Sequence, residues 1–300
     1  MLAGQGTLVC PGIACLALLL LIPAGAAIAA GTNEVAPGEP SSSSPVTDYF
    51  ANWFHRVDLI RAGQPHWAPP VATTSPMLQE VFRYDVYSER LAGGRTLTSF
   101  GNSKGLEFIP GGNIQFIVGL PAWQTENTSP RKEGWADQYF LMKYRFLAAN
   151  AENGDYVLTG FLGLTVPNGS ANFTTHHFVF TPSAAFGKGW GDFDIQCTAG
   201  VSLPDNDSGR RTLGTPLAIN TTAQYHLAKF FWPEVEVNYT WWPGGTHEGL
   251  NQAFITPGLV LGNFHVLGRV GMMVGAGCQF AMTDHALYQR NFLLTARFPF

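Results

Sequence analysis

Charged side chains spaced two residues apart are the most specific chemical pattern in this sequence. The three pairs are Lys143 with Arg145, Asp192 with Asp194, and Glu234 with Glu236. On an extended strand, positions i and i+2 lie on one face about 7 Å apart, so the like charges within each pair repel. We therefore expect the cationic pair to face the two acidic pairs across a narrow interior, where opposite charges compensate.

A larger set of charged residues is predicted to share that interior, because each lies on the polar face of a segment whose other face is apolar. The set holds five positive and five negative side chains, which indicates a paired network rather than a ring of one sign. Two interpretations remain open: ion pairs that fill and stiffen the interior, or a constriction that selects what passes. The ten residues are Arg83, Asp85, Lys143, Arg145, Asp192, Asp194, Glu234, Glu236, Arg269 and Arg297.

Histidine and hydroxyl side chains are the remaining candidates for catalysis, and their spacing does not favour it. His176 and His177 are adjacent, so on a strand they point to opposite faces and cannot bind one metal ion together. Thr174 and His176 share a face, loosely as in a lipid-modifying barrel enzyme, but no acid is evident nearby. The sequence also has no nucleotide-binding loop and no Gly-x-Ser-x-Gly motif. We expect no enzymatic activity, no cofactor and no bound metal.

The composition excludes several classes of protein. Charged residues make up 13% of the 300 residues, about half the usual share for a soluble globular domain, and hydrophobic residues make up 46%. With 17 Lys and Arg residues and a net charge of −4, the chain has no basic surface for nucleic acid. A mean hydropathy of +0.05 is too polar for a bundle of membrane helices.

The N-terminus predicts export. Residues 15–22 form an apolar run, and Ala27-Ile28-Ala29 fits the small-residue site at which a signal peptide is cleaved. The run is too short to span a membrane as a helix.

A helix is predicted over residues 47–62, after a linker rich in Pro, Ser and Gly. Its apolar residues recur at the helical period, and Thr47 or Asp48 could cap it. Residues 64–76 are rich in Pro and end any helix. The helix is interpreted either as a packing element or as a plug or gate beneath a pore.

From Met77 onward, segments of about 10–16 residues alternate in polarity and are separated by Gly, Pro, Asn and Asp. They predict twelve strands, an even number, as an outer-membrane barrel requires. Pro182 and Pro257 lie inside the sixth and tenth strands, so ten strands is the alternative. The predicted strands cover 78–90, 96–109, 113–122, 135–148, 154–167, 176–187, 191–204, 213–228, 230–242, 251–262, 265–282 and 287–300.

Connection lengths support the same fold. Gaps after the even-numbered strands are short, whereas those after strands 3, 5 and 7 are longer and polar, an asymmetry typical of transmembrane barrels. The predicted fold class is all-β: a transmembrane antiparallel up-and-down β-barrel of about twelve strands with a short N-terminal helix. The predicted organisation is a signal peptide over 1–30, a linker with the amphipathic helix over 31–76, and an outer-membrane β-barrel over 77–300.

The charged face of the strands must line the lumen, since a charge facing lipid at mid-membrane would cost roughly 2–4 kcal/mol. The lumen face also carries apolar side chains, which favour passage of a small, partly apolar solute over bulk ion flow. These are Leu141, Val157, Phe161, Phe254, Val260, Leu267, Met273 and Leu293. Aromatic residues near the strand ends predict two girdles in contact with outer-membrane lipid. They are Trp123, Trp135, Trp241 and Trp242 near the long loops, and Trp190, Trp232 and Phe264 near the short turns.

The last strand ends in Phe298-Pro299-Phe300, which resembles the signal that the barrel assembly machinery reads in bacterial outer-membrane proteins. Three pieces, LQEVFRYDVYSER, GWADQYFLMKYRF and GFLGLTVPNGS, resemble the outer-membrane family described as transporters of the phenol-degradation MetA pathway. The likeness covers most of residues 78–300, although Val166-Pro167-Asn168-Gly169 departs from the family's usual Pro-Thr-Gly ending. The resemblance implies an outer-membrane location and uptake of small hydrophobic or aromatic solutes. A structural or surface-anchoring barrel and a lipid-modifying enzyme are the alternatives.

Overall fold

A computed structural model describes residues 44–101 and 104–300 of the chain. The predicted signal peptide, residues 1–30, lies outside these described residues. The described chain forms a closed antiparallel β-barrel that follows two short helices and an extended segment. The predicted fold class is confirmed.

Three α-helices, two short 3-10 helices (Ala92–Gly94 and Ala151–Asn153) and sixteen strands make up the described part of the chain. The α-helices are α1 (Pro45–Ala51), α2 (Trp53–Ala62) and α3 (Asp207–Leu213). The first eight strands are β1 (Val81–Arg90), β2 (Thr96–Phe100), β3 (Gly105–Gly111), β4 (Ile114–Gly119), β5 (Trp123–Glu126), β6 (Lys132–Trp135), β7 (Gln138–Ala149) and β8 (Tyr156–Val166). The others are β9 (Val179–Trp190), β10 (Phe193–Val201), β11 (Leu203–Pro204), β12 (Leu217–Tyr225), β13 (Phe231–Trp241), β14 (Asn251–Leu267), β15 (Val270–Ala281) and β16 (Arg290–Pro299).

The sixteen strands make twelve crossings, because β2 with β3, β4 with β5, β6 with β7, and β10 with β11 each form one interrupted crossing. The ladder between β1 and β16, from Val81 opposite Pro299 to Arg90 opposite Arg290, closes the barrel. The twelve-strand prediction is therefore confirmed over the ten-strand alternative.

The two strand prolines do not interrupt the barrel. Pro182 lies opposite Leu162 of β8, and Pro257 lies opposite Val235 of β13, each without a register shift. In the described ladders neither proline has a partner on its other neighbouring strand, β10 or β15. Each proline thus sits where its missing N–H costs little.

The connections separate the barrel into a turn end and a loop end. The turn end carries the short links, such as 112–113, 191–192 and 268–269, whereas the loop end carries 167–178 and 205–216. This asymmetry agrees with the predicted one.

One predicted turn is misplaced. It was expected near Asn263-Phe264, but β14 continues through two bulges to Leu267 and turns at Gly268-Arg269. Each bulge adds a residue that alternation alone does not reveal. Leu267 consequently lies outside the lumen, with 77% of its surface exposed.

The predicted helix is present as two helices that meet at Asn52. Ser44, rather than Thr47 or Asp48, caps α1: its Oγ accepts a hydrogen bond from the Thr47 amide at 3.2 Å. Pro45 follows the cap because the first helical position needs no N–H donor.

Helix α2 lies across the turn end of the barrel. Asp58 binds Arg269 of the β14–β15 turn through two hydrogen bonds, of 2.9 and 2.5 Å, and this guanidinium lowers the pKa of the carboxyl. One helical turn further along α2, the Asn150 side chain of the β7–β8 turn donates to the Ala62 carbonyl at 3.3 Å. These two turns are six crossings apart in a ring of twelve, so α2 is tied to opposite sides of the mouth. Within the described residues, no helix is both long and apolar enough to cross a membrane.

The outer surface of the wall is apolar, as the two-residue period predicts. Along β7, Leu141, Lys143 and Arg145 are buried inside, while Met142 and Tyr144 are exposed outside. Exposed apolar side chains on other strands extend this band around the barrel, among them Phe82, Leu106, Leu162, Phe180, Val235, Val237, Phe292 and Leu294.

The predicted girdles need two corrections. Trp135, Trp190 and Trp241 are exposed on the outer wall, but Trp232 and Trp242 are only 8% and 4% exposed. Trp232 points inward and stacks on the His226 ring, with centroids 4.0 Å apart. Both tryptophans lie at strand ends, where an error of one position in the strand boundary moves a side chain from the outer face to the lumen face.

Candidate functional site

The lumen is occupied by residues 64–80, which we call the lumen segment. The segment leaves α2 at the turn end, runs inside the barrel without helix or strand, and returns to join β1. Val71 and Leu78 are fully buried, and Trp67 and Met77 nearly so. From Gln64 to Gln79 it contains no Lys, Arg, Asp or Glu. A neutral, irregular backbone is therefore held by a charged wall.

Two carboxylates of β13 bind the amide groups at the middle of the segment. Glu234 accepts a hydrogen bond from the Val71 N–H at 2.8 Å. Glu236 accepts one from Ala72 and one from Thr73, both at 2.6 Å. Buried N–H groups without a strand or helix partner need such acceptors.

Three cations bind the carbonyl groups of the same stretch. Arg297 donates to the Pro70 carbonyl at 2.7 Å and also to that of Pro69. Arg83 donates to the Pro70 and Val71 carbonyls, and Lys104 to those of Ala72 and Thr73. Because proline has no N–H, the backbone at Pro69-Pro70 offers acceptors only, which suits cationic partners.

Lys143 and Arg145 hold the two ends of the segment. Lys143 donates to the Ser75 and Met77 carbonyls at 3.0 and 3.2 Å. Arg145 donates to the Ile60 carbonyl and the Gln64 side chain, both at 2.9 Å. Charge-assisted contacts thus follow the segment from its start to its return.

Trp67 anchors the segment against the wall near the turn end. Its ring belongs to an apolar cluster with Val157, Val260 and Met273, and its Nε1 donates to Asp155 at 3.1 Å. Gly187 of β9 permits this approach, since a Cβ there would lie 2.5 Å from the Trp67 ring.

Eight of the ten predicted residues are buried inside the barrel; their part in selecting solutes stays a prediction. They are Arg83, Asp85, Lys143, Arg145, Asp194, Glu234, Glu236 and Arg297. Asp192 and Arg269 do not line the lumen. Asp192 is exposed in the β9–β10 turn, because β10 begins only at Phe193, and Arg269 lies in the β14–β15 turn against Asp58.

The prediction that Lys143 and Arg145 contact the acidic pairs is wrong. Lys143 has Glu107 as its carboxylate neighbour, at 3.9 Å, and the lumen segment takes the hydrogen bonds of Lys143, Glu234 and Glu236. The closest buried ion pair joins Arg83 and Asp85 at 2.8 Å, two positions apart on one strand.

Sequence reasoning missed several polar residues that bind the segment. Lys104 lies just before β3, at a break in its crossing. Gln196 donates to the Ala68 carbonyl at 3.2 Å and to Gln224 at 3.0 Å. Gln196 shares the buried, lumen-facing positions of β10 with Asp194, so the alternation of polarity along this strand could have identified it.

The C-terminal residues lie at the seam of the barrel. Phe298 lies opposite Phe82 of β1, and the Phe300 amide donates to the Glu80 carbonyl at 3.2 Å. Their role in assembly stays a prediction.

Cavities open above the lumen segment, and two of them lead from the loops down to it. The upper one, of about 450 Å³, opens among the loops, and the second, of about 290 Å³, reaches down to Ala72 and Thr74. Phe254 and Tyr288 line the second cavity, with their rings stacked at 4.4 Å between centroids. Among the described residues, no group of three His, Cys, Asp or Glu side chains is arranged to hold a metal ion.

Replacing Lys143 and Arg145 together by Ala is expected to make the barrel cation-selective. The change removes two buried cations from the lumen and leaves Glu107, Glu234 and Glu236 in place. Lumen substitutions tune selectivity, whereas lipid-face charges destabilise, so the barrel should still fold. The reversal potential in a planar bilayer under a salt gradient measures the effect. An unchanged potential in a folded, conducting variant would place both residues outside the permeation path.

The fold is similar to that of a solved outer membrane channel. The crystal structure of an outer membrane channel from Pseudomonas putida F1 aligns with a TM-score of 0.54 at 12% identity, covering 78% of this chain and 99% of that one. A loop-deletion variant of OmpT, an outer membrane protein of Vibrio cholerae, aligns with a TM-score of 0.33 at 11% identity, covering 74% and 97%. No protein-family model and no curated protein matches the sequence.

Closure of twelve antiparallel strands, an apolar outer band and short turns opposite long loops define the class of protein. The chain is an outer-membrane β-barrel, located in the bacterial outer membrane, with a fold like that of the Pseudomonas putida channel.

Proposed function

We propose that the barrel is a channel for small hydrophobic or aromatic solutes, and that the lumen segment keeps it closed to bulk flow. The observation that carries this proposal is a partly apolar cavity at the loop end, which faces the cell exterior in outer-membrane barrels, above a lumen filled by neutral chain.

The lining of the upper cavity supports an apolar solute. Its apolar side chains are Leu91, Leu97, Phe173, Leu213, Trp242 and Leu287. The volume of about 450 Å³ lies within the range of about 300–1,000 Å³ usual for small-molecule sites. Polar side chains such as Arg95, Glu126 and His177 complete the lining, so the cavity suits a solute that joins an apolar ring to a polar group.

The chemistry of the lumen segment supports selective passage. Ten hydrogen bonds or more would have to break at once for the whole segment to leave, and most of them join a charged side chain to the backbone. Small local displacements are far cheaper, which favours small solutes. The Pseudomonas putida neighbour is an outer membrane channel, which supports the same proposal.

Liposome swelling tests the proposal. Vesicles with the refolded barrel are expected to swell faster in a small aromatic acid than in a sugar of similar mass. Trp242→Ala should reduce this preference, because Trp242 lines the upper cavity. Trp241→Ala should not, because Trp241 is exposed on the outer wall. Equal permeation of all solutes would favour a general porin. No permeation at all would favour a structural or lipid-modifying barrel.

A further inference from the structure

Three successive peptide groups of the lumen segment, between Pro70 and Thr73, are bound from both sides of the barrel. On one side, carboxylates of β13 accept a hydrogen bond from each N–H, at 2.6–2.8 Å. On the other side, cations that lie three to five crossings away in the ring of twelve donate to each carbonyl. The carboxylates are Glu234 and Glu236, and the cations are Arg297, Arg83 and Lys104.

The backbone of the segment bends at residues 71–73, and the bend directs these groups. The three N–H groups point toward β13, and the three carbonyls point away from it, because the N–H and C=O of a trans peptide group lie on opposite sides. A neutral chain can therefore satisfy both rows of charge at once. An apolar ring in the same place would use none of these charges, and an ion of either sign would be repelled by one of the two rows.

One side chain of this stretch fits a space that the wall provides for it. Val71 is fully buried in the apolar cluster that also contains Trp67 and Met273. Strand β15 makes room for it, since a Cβ added to Gly275 or Gly277 would lie 3.3 or 3.5 Å from a Val71 methyl group. The hydrogen bonds described above all involve backbone atoms. The wall therefore specifies a small apolar side chain at one position and a peptide backbone around it.

This stretch of the segment is open to the lumen from the loop end. Ala72 and Thr74 line the second cavity, whose volume is about 290 Å³. Together with Thr73 they also line a further cavity of about 180 Å³, between the segment and the lumen faces of β7 to β10. A ligand that enters among the loops can therefore reach the bound peptide groups without crossing the rest of the segment.

We propose that this part of the lumen is a binding site for short uncharged peptides, which take the place of residues 69–73 when the segment withdraws. The inference goes beyond the proposed function, because it adds a class of ligand that is recognised by its backbone rather than by an aromatic ring. It rests on that function in one respect, since the segment must be able to leave. A peptide binds here through both its N–H groups and its carbonyls, so loss of the N–H groups alone should abolish binding.

Peptide binding to the refolded barrel, with its lumen segment weakened but present, tests the site. The chain carries Ala72→Pro and Thr73→Pro, which remove both N–H groups that bind Glu236 and leave the wall unchanged. The probe is acetyl-Pro-Pro-Val-Ala-Thr-amide, the sequence of residues 69–73, with a fluorescent dye attached through the C-terminal amide. The control probe is N-methylated at its Val, Ala and Thr. It lacks the three N–H donors but is no less apolar, so uptake by detergent alone would not weaken its binding.

Fluorescence anisotropy is expected to show saturable binding of the unmethylated probe, at least tenfold tighter than binding of the methylated probe. The unmodified barrel should bind the unmethylated probe at least tenfold more weakly than the proline chain does, because its own segment occupies the site.

Variants of the wall and of the probe locate the binding. In the proline chain, Glu236→Gln should weaken binding at least tenfold, because this carboxylate accepts from two of the three N–H groups. Glu133→Gln, at an exposed glutamate of β6, should leave binding unchanged. A probe with Asp in place of Val should also bind at least tenfold more weakly, since its carboxylate would enter an apolar space next to Glu234.

Equal binding of the methylated and unmethylated probes would overturn the inference, and so would equal binding by the Glu236→Gln and Glu133→Gln chains. If the proline chain does not fold, Ala72→Asp is the second background: it places a carboxylate beside Glu236, and Ala72 lines the second cavity, which gives the larger side chain room. Absence of saturable binding in the folded background would also overturn it. Failure of the proposed function is distinct, because it appears as equal swelling of vesicles in an aromatic acid and in a sugar, whether or not peptides bind.

Discussion

Glu236→Gln is expected to raise the time-averaged conductance of the barrel several-fold. The carboxylate accepts hydrogen bonds from the Ala72 and Thr73 amides and from the Thr222 hydroxyl, and it is fully buried. A hydrogen bond to a charged group contributes about 1.5–3 kcal/mol, and a neutral amide of the same size cannot replace both. A loss of about 3 kcal/mol would raise the population of the displaced segment about 100-fold.

Glu126→Gln is the matched control for that conductance measurement. Glu126 is also a buried glutamate of the lumen, but it binds Arg95 at 2.6 Å near the loop end and makes no hydrogen bond to the lumen segment. Its conductance should equal that of the unmodified barrel. Equal conductance of all three proteins would mean that Glu236 does not hold the segment in the closed state.

The barrel itself could be predicted from sequence because its signals are local. A two-residue period decides the face of each residue within one strand, so Lys143 inside and Tyr144 outside follow from adjacent positions. Turn residues and loop lengths indicate which end of the barrel carries the short turns and which carries the long loops. These signals weaken only at strand ends and bulges, which is where Asp192, Arg269 and Leu267 were misplaced.

The placement of the lumen segment could not be predicted, because it has no period and its partners are distant in the chain. Val71 and Glu234 are 163 positions apart, and Arg297 and Pro70 are 227 apart. Each carboxylate and guanidinium was correctly expected to need a partner, but the sequence offered other charges as the obvious candidates. Pro69-Pro70 was the available clue: two consecutive residues without N–H donors disfavour a helix interior and a strand paired on both sides, yet their carbonyls still need donors.

Arg83→Ala is expected to lower the free energy of unfolding by about 3 kcal/mol or more, because it breaks the buried ion pair with Asp85 in the barrel wall. Arg83 Nε donates to both Asp85 oxygens, at 2.8 and 2.9 Å, and the two side chains are 4% and 0% exposed. Breaking a buried ion pair by removing one partner typically costs about 3–5 kcal/mol, and the Tyr87 hydroxyl, at 3.2 Å from Asp85, does not replace the lost positive charge. Urea unfolding of the refolded barrel, followed by heat-modifiable gel mobility, measures the loss.

Two further variants separate the ion pair from other effects of truncation. Arg210→Ala breaks an ion pair with Asp207 whose side chains are 59% and 81% exposed, so its cost should stay below about 1 kcal/mol. Adding Asp85→Asn to Arg83→Ala removes the buried carboxylate charge that Arg83 balances and should recover part of the lost stability. If Asp85→Asn recovers nothing, the loss comes from the contacts of Arg83 with the Pro70 and Val71 carbonyls, and the lumen segment rather than the ion pair stabilises this part of the wall.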